Sequence, residues 1–301
     1  MEEVFKTLGV NINVTFCLIF YSLIWVRIVA MGAVVPFLFG KPVPRYVLMS
    51  ASVLLALFAY INTVPKVPPP LSEDRITLVV LYLKEAFFGA TMGFIASIFF
   101  HAMASVGSMI DNQRGVSIAR SILPELGEQV SITGIFLFQL ALVLFLAVGG
   151  HLAFLDAFFQ SFKVLPVLEF PTAGPGMFPL MDMVMKLTGD VLLISMKLAM
   201  PVIIAIFMAD IILGIANRIA PQIDVWMMGF TLKATLGLLM LFISLTMVTD
   251  QIEKYTAKSS RLLQDSIELM QGNVPEGAPQ LEKPSEPEQA PQEIPEVKTV
   301  P

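Results

Sequence analysis

Long apolar segments separated by short polar breaks dominate the sequence. Six such segments are found, with predicted bounds at residues 14–35, 47–61, 78–100, 135–155, 191–213 and 225–249. Most reach the ~20 residues that a helix needs to cross a hydrocarbon core about 30 Å thick. Because a backbone exposed to lipid must satisfy its own hydrogen bonds, the segments are predicted to be helices. The pattern therefore predicts an all-α membrane protein of about six apolar helices arranged as helical hairpins.

The second segment, residues 47–61, is short for a membrane span. It is therefore predicted to be a half-crossing hairpin arm or a buried helix rather than a simple transmembrane rod. A stretch rich in proline and glycine, residues 169–179, follows the fourth segment. Because such residues break helices, this stretch is predicted to divide the membrane body into hairpins within 1–170 and 176–260.

Composition separates this body from the end of the chain. Only 14% of the 301 residues are charged, whereas soluble domains carry about 25%, so lipid is the expected solvent of residues 1–260. Residues 261–301 are predicted to form a cytoplasmic tail, whose first part is compatible with extension of the sixth helix. From about residue 272 the tail holds six Glu and two Lys among many prolines, which accounts for −4 of the total charge of −5. This acidic, Pro-rich segment is predicted to be disordered.

The orientation of the chain is predicted from its basic residues. The acidic start, Met1-Glu2-Glu3, lacks the basic region of a signal peptide, so the first apolar segment is expected to remain as an uncleaved anchor. Six crossings place both termini on one side, and that side carries eight of the thirteen Lys and Arg residues that lie outside the spans and before residue 272. The excess predicts cytoplasmic termini.

Residues that commonly carry enzyme or cofactor chemistry are sparse. The one cysteine, Cys17, lies in an apolar segment, and the two histidines, His101 and His151, lie on different segments without partners at metal-ligand spacing. The chain lacks the nucleotide-binding pattern GxxxxGK[ST], the metalloprotease pattern HExxH and the hydrolase pattern GxSxG. No enzyme activity, cofactor or metal is predicted, and the body has no basic face that would bind nucleic acid.

Charged residues within the apolar segments are the main departure from a lipid-compatible pattern. They are Arg27, Lys84, Glu85, Lys197, Asp210 and Lys233. Each charge at a span centre costs about 2.5–3.5 kcal/mol on insertion scales. The four expected to face protein partners or a water-filled passage are Lys84, Glu85, Lys197 and Lys233. Arg27 and Asp210 are expected to reach an interface, and local pairing or snorkelling remains the alternative. Since Lys84 and Glu85 are adjacent and point to different faces, they are not expected to neutralise each other.

A first polar island lies between the third and fourth segments, at residues 107–131. Gly107 and Gly115, which would permit sharp turns, frame a cluster of polar residues: Asp111, Asn112, Gln113 and Arg114. Met109 and Ile110 interleave apolar side chains with them. The mixture predicts a loop that packs against something, and a plain solvent loop is the alternative.

A second polar island lies between the fifth and sixth segments. Asn217 and Arg218 precede Pro221 and Gln222. Pro221 is predicted to stop the fifth helix and start a tight turn into the sixth. Arg218 carries five donors that could lock this helix-hairpin tip by binding carbonyls or a partner carboxylate.

Three sets of residues resemble a known family. They are IDNQRG at 110–115, LFLAVGGH at 144–151 followed by SFKVLP at 161–166, and NRIAPQ at 217–222 followed by GFTLK at 229–233. They occur in the order found in the FliR/SctT family, the flagellar and injectisome export proteins of type III secretion. The resemblance covers roughly residues 14–260, and the tail lies outside it.

The resemblance implies a subunit of an inner-membrane export gate that passes unfolded protein chains. It implies assembly with FliP/SctR-type and FliQ/SctS-type subunits, and association with FlhB/SctU-type and FlhA/SctV-type proteins. It also implies hairpins that lean and stack, and a polar loop that plugs the closed channel, here Gly107 to Arg120. The string IDNQRGVSIA and the Gly-Gly pair at 149–150 resemble the injectisome branch, which is favoured, whereas GFTLK resembles the flagellar branch.

Two other classes of function remain open on the residues alone. A small-solute transporter would use the intramembrane charges as its binding site, and such proteins usually show related halves with matching interrupted helices. Pro201 interrupts the fifth segment, but the second segment has no matching break. An intramembrane enzyme is the weaker alternative. Purification separates these classes, because a gate subunit comes out in a complex with smaller partners.

Overall fold

The computed structural model describes residues 14–39, 43–64, 75–115, 131–169, 177–222 and 224–270. Within these ranges the chain forms eight helices: α1 (Val14–Val34), α2 (Pro36–Phe39), α3 (Arg45–Thr63), α4 (Arg75–Gln113), α5 (Ile132–Ala147), α6 (Gly150–Val164), α7 (Met177–Ile219) and α8 (Val225–Met270). The predicted disorder of the tail from about residue 272 falls outside the described residues.

Five of the helices, namely α1, α3, α4, α7 and α8, are long and apolar enough to cross a membrane. A sixth span results if α5 and α6, which are bent by 73° at a short break, are counted together. The prediction of an all-α membrane protein with about six apolar helices is therefore confirmed.

The second apolar segment is a full-length helix and not a buried one. Helix α3 has 19 residues, and only 17% of its apolar window is buried inside the chain. Large apolar side chains such as Leu54, Phe58 and Ile61 point outward. The segment is therefore not too short to span, because the residues on either side of 47–61 lengthen the helix, and it is not a helix buried within this chain. The alternative of a half-crossing hairpin arm stays a prediction.

The third and fourth segments also differ from the predicted bounds. Helix α4 continues 13 residues beyond the predicted end at residue 100, to Gln113, because Ala102, Met103, Val106 and Ile110 form a buried face at helical spacing. The fourth segment is broken at Gly149, whose φ of 82° is a left-handed conformation that suits glycine. The sixth segment does extend as a helix, to Met270.

Helices α1 and α4 run parallel and in close contact. A Cβ atom on Gly89 would lie 2.2 Å from the carbonyl oxygen of Arg27, and one on Gly93 would lie 2.8 Å from that of Met31. Glycine at both positions therefore lets the two backbones touch. This packing builds one apolar core among α1, the first half of α4, α6 and the end of α8.

A second apolar core joins the other half of α4 to α5, α7 and α8. Helix α8 runs antiparallel to α4, since the Tyr255 ring stacks on Phe99 at 4.2 Å while Gly237 lies beside Arg114. The Tyr255 hydroxyl donates to the Ile95 carbonyl at 2.9 Å. Burial raises the pKa of the Tyr255 phenol, so it stays protonated as a donor. The end of α8 is thus part of the folded body.

Candidate functional site

A buried charge network joins α1, α4 and the chain that follows α6. Arg27 Nε lies 2.5 Å from Glu85 Oε2, and neither side chain is exposed. The Arg27 guanidinium also donates to Ser161 Oγ at 3.4 Å and to the Leu165 carbonyl at 3.2 Å. Its carbon lies 4.5 Å from the centre of the Phe162 ring, which adds a cation–π contact. Every direction around this cation is therefore occupied by its own chain.

Lys84 completes the network from the other side of Glu85. Its Nζ atom donates to the carbonyls of Pro166, Val167 and Glu169 at 3.1, 2.8 and 2.9 Å. These bonds use all three N–H donors of the ammonium. Lys84 Nζ also lies 2.8 Å from Glu85 Oε1, but that contact is an ion pair without hydrogen-bond geometry.

The two cations bind the backbone at the C-terminus of α6 and just beyond it. That helix ends at Val164, and the four carbonyls that Arg27 and Lys84 bind follow it between residues 165 and 169. Helix C-termini leave carbonyls unsatisfied and carry a partial negative charge. Arg27 binds the carbonyl of the C-cap residue Leu165, and Lys84 binds the three carbonyls beyond it. Because two cations face one carboxylate, this partial charge offsets the excess positive charge.

The network corrects two expectations for individual residues. Arg27 does not reach an interface, since its side chain is fully buried. Lys84 and Glu85 do pair, because the lysine stem is long enough to turn its ammonium toward the neighbouring carboxylate. The sequence predicted that both side chains contact partner proteins or a passage. In the structure both face the interior of this chain instead.

A second polar cluster fixes the corner between α4 and α5. Asp111 Oδ1 accepts from Thr133 Oγ1 at 2.5 Å, and Asp111 Oδ2 accepts from Ser131 Oγ at 2.7 Å and from the Thr133 backbone N–H at 3.1 Å. Ser131 is the N-cap of α5 and accepts from the Gly134 N–H at 2.8 Å. Asp111 therefore caps α5 from outside that helix, where an anion is favoured by the helix dipole.

Arg114 connects this corner to α8. Its Nη1 atom lies 3.5 Å from Asp111 Oδ1 and 3.4 Å from Thr133 Oγ1, and its Nη2 atom donates to the Ala234 carbonyl at 3.2 Å. The side-chain stem lies over Gly237, where a Cβ atom would approach Arg114 Cδ to 2.8 Å. The absence of a side chain at Gly237 therefore provides the space for Arg114.

The first half of the predicted polar loop is helical. Residues up to Gln113 continue α4, with Ile110 and Asp111 buried, Met109 and Gln113 half-buried and Asn112 exposed. Gly107 does not make a turn. It permits a close helix crossing, because a Cβ there would lie 2.2 Å from the Gly134 nitrogen. Only Gly115, with φ of 83°, ends the helix as a turn glycine. Residues 116–120 of the predicted loop lie outside the described residues.

The remaining candidate residues lie on the α7–α8 hairpin. Helix α7 ends at Ile219 and Pro221 lies in the turn, so the predicted stop is confirmed. Asn217, Arg218 and Gln222 are exposed there. Lys233 forms an ion pair with Asp210 across the hairpin, whereas the Lys197 side chain is exposed. Asp210 and Lys233 are half-buried and the other groups are exposed, and the structure does not bring them together with the buried network.

The fold and its internal polar networks define a multi-pass helical membrane protein. The chain belongs to the bacterial export proteins, family 1, whose model matches residues 18–259. No sequence pattern predicted the pairing of Arg27 with Glu85 or the capping by Asp111. Charges within apolar segments were the signal for the former, and the Asp in the IDNQRG string was the signal for the latter.

Relatives from two kinds of system share similar fractions of the sequence. The chain is 31% identical over 253 residues to Yop proteins translocation protein T of Yersinia pestis. This match covers 84% of the chain and 94% of the relative. The chain is 31% identical over 229 residues to Flagellar biosynthetic protein FliR of Bacillus subtilis, covering 76% and 86%. It is 30% identical over 191 residues to Surface presentation of antigens protein SpaR of Salmonella typhimurium, covering 64% and 69%.

Proposed function

We propose that this chain is an export-gate subunit of a type III protein export apparatus in the bacterial inner membrane. Family membership across residues 18–259 carries the proposal, together with relatives named for translocation and for flagellar biosynthesis. Its substrate is an unfolded protein chain in transit. The injectisome branch is favoured by the string IDNQRGVSIA, and a flagellar export gate is the alternative with equal sequence identity.

The gate role requires partner subunits. We propose FliP/SctR-type and FliQ/SctS-type proteins as the other gate subunits, with FlhB/SctU-type and FlhA/SctV-type proteins as further partners. The exposed Lys197 and the half-buried ion pair of Lys233 with Asp210 lie within apolar helices and support partner or water contact, because lipid would penalise such charges. The tail from residue 261 is proposed to be cytoplasmic.

The polar island after the third apolar segment is proposed to close the resting channel. A channel wide enough for an unfolded chain would leak ions, so a seal is physically required. The residues proposed for this plug are Gly107, Met109, Ile110, Asp111, Asn112, Gln113, Arg114 and Gly115, continuing to Arg120. The described part is a helix end held by Asp111, which would serve as the base from which residues 116–120 act.

The test separates the plug from its base. Residues 116–120 are replaced by five Gly and Ser residues, which leaves the Asp111 contacts in place. Complex formation with the partner subunits is measured by co-purification, and resting leak is measured as ion flux or sensitivity to a small toxic solute. An assembled complex with increased leak supports the plug, whereas an assembled complex as tight as the wild type refutes it. Continued protein export in a strain that lacks this chain would refute the gate function itself.

A further inference from the structure

The two arginine–carboxylate pairs found among the described residues are built very differently. Arg27 approaches Glu85 at 2.5 Å with no solvent exposure. The distance from Arg114 to Asp111 is longer, at 3.5 Å, and the Arg114 side chain is 18% exposed. Its hydrogen bonds to Thr133 Oγ1 and to the Ala234 carbonyl are also long, at 3.4 and 3.2 Å. The Nε–H of Arg114 is buried and has no hydrogen-bond partner. A buried donor left unpaired is unfavourable, so Arg114 is held far less firmly than Arg27.

Within the corner cluster, the contacts of Arg114 are weak, whereas those of Asp111 are strong. Asp111 accepts three hydrogen bonds from the start of α5, two of them of 2.5 and 2.7 Å. The corner between α4 and α5 is therefore fixed within itself. The polar link between that corner and α8 runs through the Arg114 bond to the Ala234 carbonyl, beside the contact with Gly237. Apolar contacts lie next to it, namely Phe230 against Gly115 and the second apolar core.

We propose that Arg114 is a releasable clamp that positions the α4–α5 corner against α8 in the resting gate. The proposal rests on the gate function argued above and adds the residue that holds the closed position. Release breaks the long bond to Ala234 and frees the guanidinium to satisfy its unpaired Nε–H with water. The Asp111 bonds remain intact, so the corner moves as one unit and can return.

Gly237 provides a graded way to disturb the clamp without removing Arg114. In the variant Gly237→Ala, the new Cβ would meet the middle of the Arg114 stem at 2.8 Å and displace the guanidinium from Ala234. The matched control is Gly229→Ala on the same helix, where a Cβ meets only Leu213 Cδ1 at an ordinary 3.4 Å. Loss of one hydrogen bond to a charged group is expected to lower the clamped population about tenfold.

The first experiment compares assembly and resting leak in cells that make the full complex. Gly237→Ala and Arg114→Ala are expected to assemble and to leak, and Gly229→Ala is expected to assemble and stay tight. A tight Gly237→Ala complex would overturn the clamp, and so would equal leak in the Gly229→Ala control. Failure of Gly237→Ala to assemble would also overturn it, because a releasable contact is not needed for assembly.

The second experiment locks the clamp. A Cβ on residue 237 would lie 3.0 Å from Arg114 Cγ, the position a cysteine sulfur would take, and disulfide geometry sets about 3 Å between one sulfur and the Cβ across the bond. The variant Arg114→Cys/Gly237→Cys, made with Cys17→Ser, is oxidised with diamide and later reduced with dithiothreitol. Export is expected to stop on oxidation and to resume on reduction. Continued export with the disulfide formed would overturn the clamp. If export is the same in cells with and without this chain, the gate function is refuted instead.

Discussion

Arg27 and Glu85, 58 residues apart in the chain, form a fully buried ion pair with 2.5 Å between Nε and Oε2. Lys84 adds a second cation on the opposite side of the same carboxylate. Glu85 is thus the one anionic side chain within hydrogen-bond or ion-pair distance of both cations in the described network. The three side chains are not equivalent, and their removal is expected to have different effects.

Glu85→Gln is expected to be the most destabilising single change in this network. It leaves two buried cations facing each other, and breaking a buried pair by removing one partner costs about 3–5 kcal/mol. Lys84→Met leaves the balanced Arg27–Glu85 pair and is expected to cost less. Thermal unfolding of the purified variants, followed by size-exclusion chromatography, provides the comparison. The exposed carboxylate Glu169, changed to Gln, is the control, and equal losses for Glu85 and Glu169 would contradict the assignment.

Gly107→Ala is expected to separate α4 from α5. The added Cβ would collide with the backbone nitrogen of Gly134 at 2.2 Å, and backbone cannot move aside as a side chain can. Overpacking of this kind costs about 1–3 kcal/mol. Gly189→Ala on α7 is the matched control, since no atom lies within 4 Å of its added Cβ. A similar melting temperature for the two variants would show that the crossing is looser than described.

Local composition was sufficient to predict the apolar helices and the stop at Pro221, because hydropathy and proline act on neighbouring residues. The pairing of Arg27 with Glu85 was not predictable, since it depends on the Gly89 and Gly93 contacts that bring two distant helices together. The predicted end of α4 is too early, because the polar string at 111–114 indicates a loop. The buried face of α4, however, follows helical spacing up to Asp111 and is stabilised by α5.

Truncation after Gln271 is expected to leave gate assembly intact. The residues removed are the acidic Pro-rich segment, which lies outside the family match. Truncation after Ile252 is expected to prevent assembly, because it removes Leu263 and Ile267, both buried in the first apolar core. Native gels of the complex distinguish the two chains. Loss of the complex in the longer chain would show that the tail contributes to assembly.

Arg218→Ala is expected to weaken assembly more than Arg261→Ala. Arg218 lies exposed at the end of α7 beside the Pro221 turn, where we expect its donors to bind carbonyls or a partner carboxylate in the assembled gate. Arg261 is exposed on the extension of α8, where substitutions usually stay within about ±0.5 kcal/mol. Yield of the co-purified complex is the measurement. Equal yields would remove the proposed role of the hairpin tip.

The contact between the two cations and the end of α6 has a consequence for the order in which the chain is made. Arg27, Lys84 and Glu85 are all synthesised before residues 165–169, whose carbonyls Arg27 and Lys84 bind. A nascent chain that ends at α4 contains both cations and the carboxylate but lacks the four carbonyls that the two cations bind in the complete fold. Arrival of the end of α6 satisfies both sides at once. The buried charges are therefore present before the segment that they bind. The residues that follow α6 then anchor the bent α5–α6 pair to α1 and α4.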